Sequence, residues 1–416
     1  MVRFMKIFPE DFRSRLLPIT LGQVFGMSCG VIGVRLSSHW VAPADYGKYG
    51  LFLTATPLGM WVVHAGLIKF TQRHWGESRA RAALFHELLP AFVRQLPWLA
   101  LATAATAWAI GRTDWLVVFP LLFFAATLLS GAVLGQAALQ SAREHWSDFG
   151  VTGTAALTRT FLPPLLYAAT TGTALALYCG VGLHALLVAG AAALALRPYW
   201  SRPPATAPQL TAVYSGPLFV VLAVSAWIMS GLNRWIVALF FGADTAGYFV
   251  LAGNMAMIAA ALPGSICLQY FQPGFFAAPV ATPDDRRDLA RRVDRVALGY
   301  CAMALAGLAA LQWIAPWFVG SLIQENYRPA IPYIMPAGFF LAALLTGSFF
   351  HSMLLAGQRE QACGPADLSL AGVLALGCMV SAAAGEIWFQ RWLLLAPVLP
   401  WLIHRPLARH YFFQPA

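Results

Sequence analysis

The sequence predicts an all-α polytopic membrane protein of about twelve transmembrane helices, arranged as two pseudo-symmetric six-helix bundles over residues 1–200 and 201–416. Three observations carry that prediction. Of 416 residues, 59% are hydrophobic and only 11% charged, against roughly 25% charged in a soluble domain. Apolar segments of ~20 residues, the length that crosses the hydrocarbon, recur from one end to the other, so the mean hydropathy of +0.66 is not owed to a single anchor. Basic residues also collect on alternate connections, as the positive-inside rule requires.

Taken in order, the spans fall at 16–38, 48–69, 90–110, 115–139, 149–170, 174–196, 213–240, 246–268, 296–321, 332–355, 362–384 and 387–404. Ahead of the first stand Arg3, Lys6, Arg13 and Arg15. That resembles a signal n-region, but the apolar run behind it is too long for an h-region and no small-residue cleavage site ends it. It reads as a retained first helix whose start stays inside. The third span is interrupted by Arg94 and Pro97, the fifth by Pro163 and Pro164. Just before the ninth, Thr282, Pro283 and Asp285 form a capping-box start. Leu289, Val293 and Val296 then make an apolar stripe, so this stretch reads as a solvated amphipathic helix on the cytoplasmic surface.

Topology follows from the charges. With the N-terminus inside, nineteen basic residues fall on cytoplasmic segments, and only Lys48, Arg112 and Arg328 on outward ones. Both termini are expected to be cytoplasmic. The net charge of +10 follows from this asymmetry and implies no nucleic-acid partner. The six cysteines lie in or beside apolar stretches without a CxxC pair, and read as small packed hydrophobes. No metal site or cofactor is expected.

An internal repeat is visible. Near the end of the first span stands Arg35, followed by Ala42, Pro43, Ala44, Asp45, Tyr46, Gly47, Lys48 and Tyr49. Near the end of the seventh stand Asn233, Arg234 and Trp235, followed by Gly242, Ala243, Asp244, Thr245, Ala246, Gly247 and Tyr248. Two halves that both start inside imply parallel repeats, a layout of transporters.

These residues carry a resemblance. The first motif, with His64-Ala65-Gly66-Leu67 and Arg73 after it, resembles the opening of the Wzx-type polysaccharide flippases; the seventh-span stretch is similar to that family's second-half signature. The superfamily (MOP) also holds the MATE drug exporters and the lipid II flippase MurJ. The resemblance implies a MATE/MurJ-like pair of six-helix bundles working by alternating access, with no chemical step. It implies a cargo of undecaprenyl-pyrophosphate-linked oligosaccharide for O-antigen or exopolysaccharide, moved across the bacterial inner membrane. Membrane lipids, a polysaccharide polymerase and chain-length proteins are the partners it suggests.

The residues speak beside it. An arginine at a helix centre costs about 2.5–3.5 kcal/mol on insertion scales, so Arg35, Arg159 and Arg234, in the first, fifth and seventh spans, ask for a reason. Arg159 shares a face with Thr152, Ala155 and Ala156, and Arg234 with Ser230 and Asn233. Asp45, Asp114, Asp244, Glu325 and Glu386 belong to outward loops or helix ends, and the remaining acids are expected on the cytoplasmic side. Arginines short of carboxylates suit a phosphate, which the planar guanidinium binds in bidentate fashion; snorkelling or backbone capping is the alternative. Arg73 at the cytoplasmic end of the second span is either a substrate contact or a topology anchor. Asn254, Gln269 and Gln272 could meet sugar hydroxyls or join helices.

His64, His184 and His351 lie within spans. His64 is read on one face with Pro57, Met60 and Trp61, and His351 with Gly347 and Ser348; either could carry a proton, or serve structure alone. Two other functions compete. A cation-coupled MATE-like drug exporter would want intramembrane carboxylates, which the spans lack on this reading. An envelope polysaccharide enzyme would want sizeable outward loops, whereas these are about ten residues or fewer. No GxxxxGK[ST] loop is present, and the chain has three lysines.

Overall fold

The computed structural model describes residues 17–58, 63–75, 81–110, 114–142, 144–170, 172–199, 217–276, 278–318, 321–357 and 359–414. Among the described residues each of the twelve expected spans overlaps helix, in the order α1 (Leu17–Trp40), α2 (Pro43–Leu58), α3 (Ala65–His74), α4 (Arg81–Ile110), α5 (Trp115–Ser141), α6 (His145–Ala169), α7 (Ala174–Leu196), α8 (Pro217–Ala259), α9 (Ala261–Phe276), α10 (Pro283–Ile314), α11 (Ile334–Ala356), α12 (Glu360–Ala383), α13 (Glu386–Leu395) and α14 (Arg405–Phe413). Among the described residues, seven stretches are each long and apolar enough to cross a membrane. Leucines and tryptophans that would be buried in a soluble protein are exposed, such as Leu194 at 72% and Leu239 at 78%. The protein is multi-pass. Trp108, Trp115, Trp313, Trp317 and Trp388 are exposed near helix ends, where an indole can sit between hydrocarbon and head groups.

Three elements differ from the sequence reading. The second span is interrupted at His64, which precedes α3 at φ −105° and ψ 4°; residues 59–62 lie outside the described residues. His64 precedes α3 and therefore shares no continuous helix with Pro57; Met60 and Trp61 lie outside the described residues. The seventh and eighth spans meet in α8, whose 43 residues would reach about 65 Å if straight, far beyond a bilayer. Gly242, at φ 89° and ψ 174°, turns it in two. The amphipathic stretch after Thr282 is not a separate surface helix but the first turns of α10. The capping box is present, with Thr282 Oγ1 accepting from Asp285 N (3.1 Å) and Asp285 Oδ2 from Thr282 N (3.0 Å). Of its apolar stripe, Leu289 and Val293 are buried and Val296 is half-buried. Pro97 in α4 and Pro163 and Pro164 in α6 leave those helices continuous.

The chain divides into two compact units, Met1–Gly33 with Phe52–Ala223, and Val34–Leu51 with Val224–Ala416. In the first, small residues set the packing, as they must where lipid tails supply no hydrophobic drive. Gly33 of α1 sits against Thr160 of α6, whose hydroxyl donates to the Cys29 carbonyl at 3.2 Å. Gly180 of α7 receives the backbone of Pro163. Gln136 of α5 donates to Thr152 of α6 at 3.1 Å.

The second unit brings the two copies of the repeat together. A Cβ on Gly47 would lie 2.1 Å from the Ala243 carbonyl oxygen, and one on Gly247 2.0 Å from that of Pro43. Each glycine thus rests on the carbonyl four residues before the other glycine. Around this crossing, Tyr327 donates to the Val41 carbonyl at 3.0 Å and stands edge-on to both Tyr46 and Tyr248. At the other end of the unit, Asp294 of α10 binds Arg405 through two contacts (3.0 and 2.7 Å) and Arg409 at 2.5 Å, pinning α14.

Candidate functional site

Arg159 lies near the middle of α6 and is exposed, with no ion-pair partner among the described residues. Thr152, Ala155 and Ala156 on its face are half-buried. The next residue along the chain, Thr158, is committed to structure. Its hydroxyl donates to the Thr154 carbonyl (2.7 Å) and lies 2.7 Å from Nδ1 of His184. With the single hydroxyl proton used on the carbonyl, the ring donates from Nδ1, which makes the buried His184 a link between α6 and α7.

Arg234 is half-buried before the Gly242 turn. Its backbone N–H donates to its neighbour's Asn233 Oδ1 at 2.8 Å, and Nη2 lies 4.0 Å from where a Gly253 Cβ would stand. The guanidinium therefore folds across the turn onto the second limb of α8. Beside it, Asn254 donates to Tyr46 Oη at 2.8 Å. Arg35 is exposed near the end of α1, without an ion-pair partner among the described residues. Its carbonyl accepts from Ser38 at 3.1 Å. The side chains of Arg73 and Gln269 lie outside those described. Gln272 of α9 donates to Ser352 of α11 at 3.2 Å, a helix-to-helix link.

The histidines separate. His64 is fully buried and stacked on Phe92, ring centroids 4.1 Å apart, with neither ring nitrogen in a well-formed hydrogen bond among the described residues. His351 faces a carboxylate that the sequence reading misplaced. Asp367, expected on the cytoplasmic side with the other acids, is instead buried on α12 between two imidazoles. His351 Nδ1 donates to its Oδ2 at 2.9 Å. His404 Nε2 stands 3.0 Å from its Oδ1, at ion-pair distance but off the line of a well-formed hydrogen bond. His404 is presented by a π turn at Pro400–His404, a geometry common at functional sites. Gly347 opens the space: a Cβ there would lie 3.4 Å from His404 Nδ1 and 3.2 Å from Leu370 Cδ2.

Asp367 and His404 escaped the sequence reading because their partners are remote along the chain. The available signal was one acid inside the window 362–384, with no basic residue beside it.

No protein-family profile matches the sequence, and no curated protein matches it. Solved structures do. The chain superposes on the lipid II flippase MurJ in an inward closed conformation with a TM-score of 0.65 at 10% identity, covering 95% of this chain and 86% of that one. Against a multidrug resistance MATE family transporter of the MOP superfamily, the outward-facing conformation gives 0.60 at 12% identity, with 95% and 94% covered. The inward-facing conformation gives 0.56 at 13%, with 95% and 96% covered. At these identities the likeness is one of fold. The chain has the architecture of the MATE and MurJ transporters.

Proposed function

We propose that this chain is a flippase that moves an undecaprenyl-pyrophosphate-linked oligosaccharide, an O-antigen or exopolysaccharide repeat unit, across the bacterial inner membrane by alternating access, with both termini cytoplasmic. A fold shared with both a lipid flippase and drug exporters supports the transporter class. The observation that carries the substrate class is Arg159. A guanidinium exposed near the centre of a membrane helix, with no ion-pair partner among the described residues, is tenable where it meets water or an anion rather than lipid. A pyrophosphate head group offers the acceptor geometry that arginine matches best. Arg35, Arg73, Arg234, Asn254 and Gln269 remain candidate contacts, each on its own position in the sequence. Polymerase and chain-length proteins are the partners expected downstream.

Complementation of a deletion strain tests the proposal. Arg159→Ala, at matched protein level and with normal membrane insertion, is expected to lose surface polysaccharide; Arg234→Ala is expected to weaken it. Full rescue by both would remove the anion-binding argument and with it the substrate class.

A second reading has one observation in its favour. The case against a cation-coupled exporter rested on the lack of intramembrane acid, and the buried Asp367 overturns that premise. Efflux of cationic compounds that disappears with Asp367→Asn, alongside normal polysaccharide, would move the protein to that class.

A further inference from the structure

We infer that His351, Asp367 and His404 form a single proton-binding site, and that proton occupancy there sets the packing of α11, α12 and the Pro400–His404 turn. The inference rests on the transporter reading for its purpose but not for its test.

The geometry restricts what the site can hold. Both carboxylate oxygens of Asp367 already face ring nitrogens, at 2.9 and 3.0 Å. A hard alkali or alkaline-earth cation needs several oxygen ligands, and here it would meet imidazoles instead. A proton needs no such shell. With one imidazolium the cluster is neutral, the form a low-dielectric interior favours. Removing that proton leaves a buried carboxylate without compensation, which the surroundings must relieve by moving or by admitting water.

Access is graded in one direction. The His351 side chain is 23% exposed, Asp367 11% and His404 1%. His351 is thus the member nearest the surface and His404 the most enclosed. Neither nitrogen of His404 makes a well-formed hydrogen bond, although the ring is buried. A histidine so enclosed and so poorly bonded is held by charge more than by directional contacts, and it is the member most easily displaced.

The displacement would not stay local. His404 ends the π turn and Arg405 begins α14, where it is clamped to Asp294 of α10. The Phe350 ring of α11 packs edge-on to both Trp401 and His404, at 5.2 and 6.1 Å. Movement of His404 thus pulls on α10 and α11 together. Most other titratable groups on the surrounding elements have partners of their own. Cys301 of α10 meets Thr346 at 3.1 Å, and Tyr300 donates to the Ala260 carbonyl. Arg405 and Arg409 are on Asp294 and Glu386 of α13 accepts from Tyr333, whereas Cys363 of α12, its thiol 3.9 Å from the Arg359 carbonyl, also faces His351. On α9, Cys267 is half-buried.

The test uses the purified full chain in lipid nanodiscs, without any lipid-linked sugar. Intrinsic tryptophan fluorescence, to which Trp401 contributes beside Phe350, is followed from about pH 5 to about pH 11, wide enough to include an imidazole paired with a carboxylate. A sigmoidal change is expected for the natural protein and its loss for Asp367→Asn and His404→Gln. His351→Gln, at the accessible edge, is expected to fold even if the buried variants do not, and to flatten or displace the transition. A transition unchanged in His351→Gln, or a response to NaCl at fixed pH with none to protons, would overturn the inference. Because the readout needs no substrate, failure of the arginine variants in cells would leave it standing, and its own failure would leave the flippase proposal intact.

Discussion

At the scale of single residues, the fold depends on a few polar contacts placed where hydrocarbon gives way to water. Asp294 is the clearest. One carboxylate takes Arg405 in bidentate fashion and Arg409 as well, while Arg286 and Arg359 donate to carbonyls at the end of α14, on Phe412 and Gln414. Charge-assisted hydrogen bonds contribute about 1.5–3 kcal/mol each, and the Asp294 side chain is only 18% exposed. Asp294→Asn is therefore expected to destabilise the second unit by ~2–4 kcal/mol, seen as a lower melting temperature. It should also free α14 for proteolysis before the rest of the chain is cut. An unchanged digestion pattern would show that apolar packing through Ala408 and Phe412, not the ion pairs, holds the helix. Contacts of this kind were partly legible. The Thr282 capping box joins residues three apart, so the local sequence announces it. The Asp367 cluster joins residues from three elements, and no local pattern can state which acid a distant histidine will meet.

At the scale of elements, helix identity was legible and helix continuity was not. Apolar length places every span, because crossing the bilayer is a demand on composition. Whether a span is one rod depends on single residues whose effect is set by their surroundings: Gly242 turns α8 in two, yet Pro97, Pro163 and Pro164 are accommodated. The accommodation at Pro163 has a visible cause in Gly180, which leaves room for the proline ridge. The same logic governs the crossing of the repeats. Gly47 and Gly247 are legible as repeated turn-like glycines, but only the structure shows that each lies on the other's segment. Gly247→Ala would put a methyl group 2.0 Å from the Pro43 carbonyl oxygen, where neither backbone can yield cheaply. A loss of about 1–3 kcal/mol or more is expected, measured by thermal unfolding in detergent. Gly26→Ala on α1, with nothing within 4 Å of the new methyl, is the control and should be neutral. Equal melting of both variants would mean that the crossing opens freely.

At the scale of the whole molecule, the repeat suggests a cut between residues 200 and 201, but contacts do not respect it. The segment Val34–Leu51, the end of α1 and the start of α2, belongs to the second unit. It supplies the Val41 carbonyl for Tyr327, the Tyr46 hydroxyl for Asn254 and the bed for Gly247. A C-terminal half starting at residue 201 would thus lose the partner of a fully buried tyrosine, and an unpaired buried hydroxyl costs about 1–3 kcal/mol before lost packing is counted. The N-terminal half would in turn carry a short stretch with nothing to pack against. Co-expression of 1–200 with 201–416 is accordingly expected to restore membrane-inserted protein and polysaccharide export. The C-terminal half expressed alone should be degraded or aggregate in detergent. If that half instead purifies as a stable, monodisperse species, the exchanged segment is dispensable and each half folds as its sequence repeat would suggest. If neither half survives even with its partner present, the covalent connection between residues 200 and 201 is itself required for the two halves to assemble.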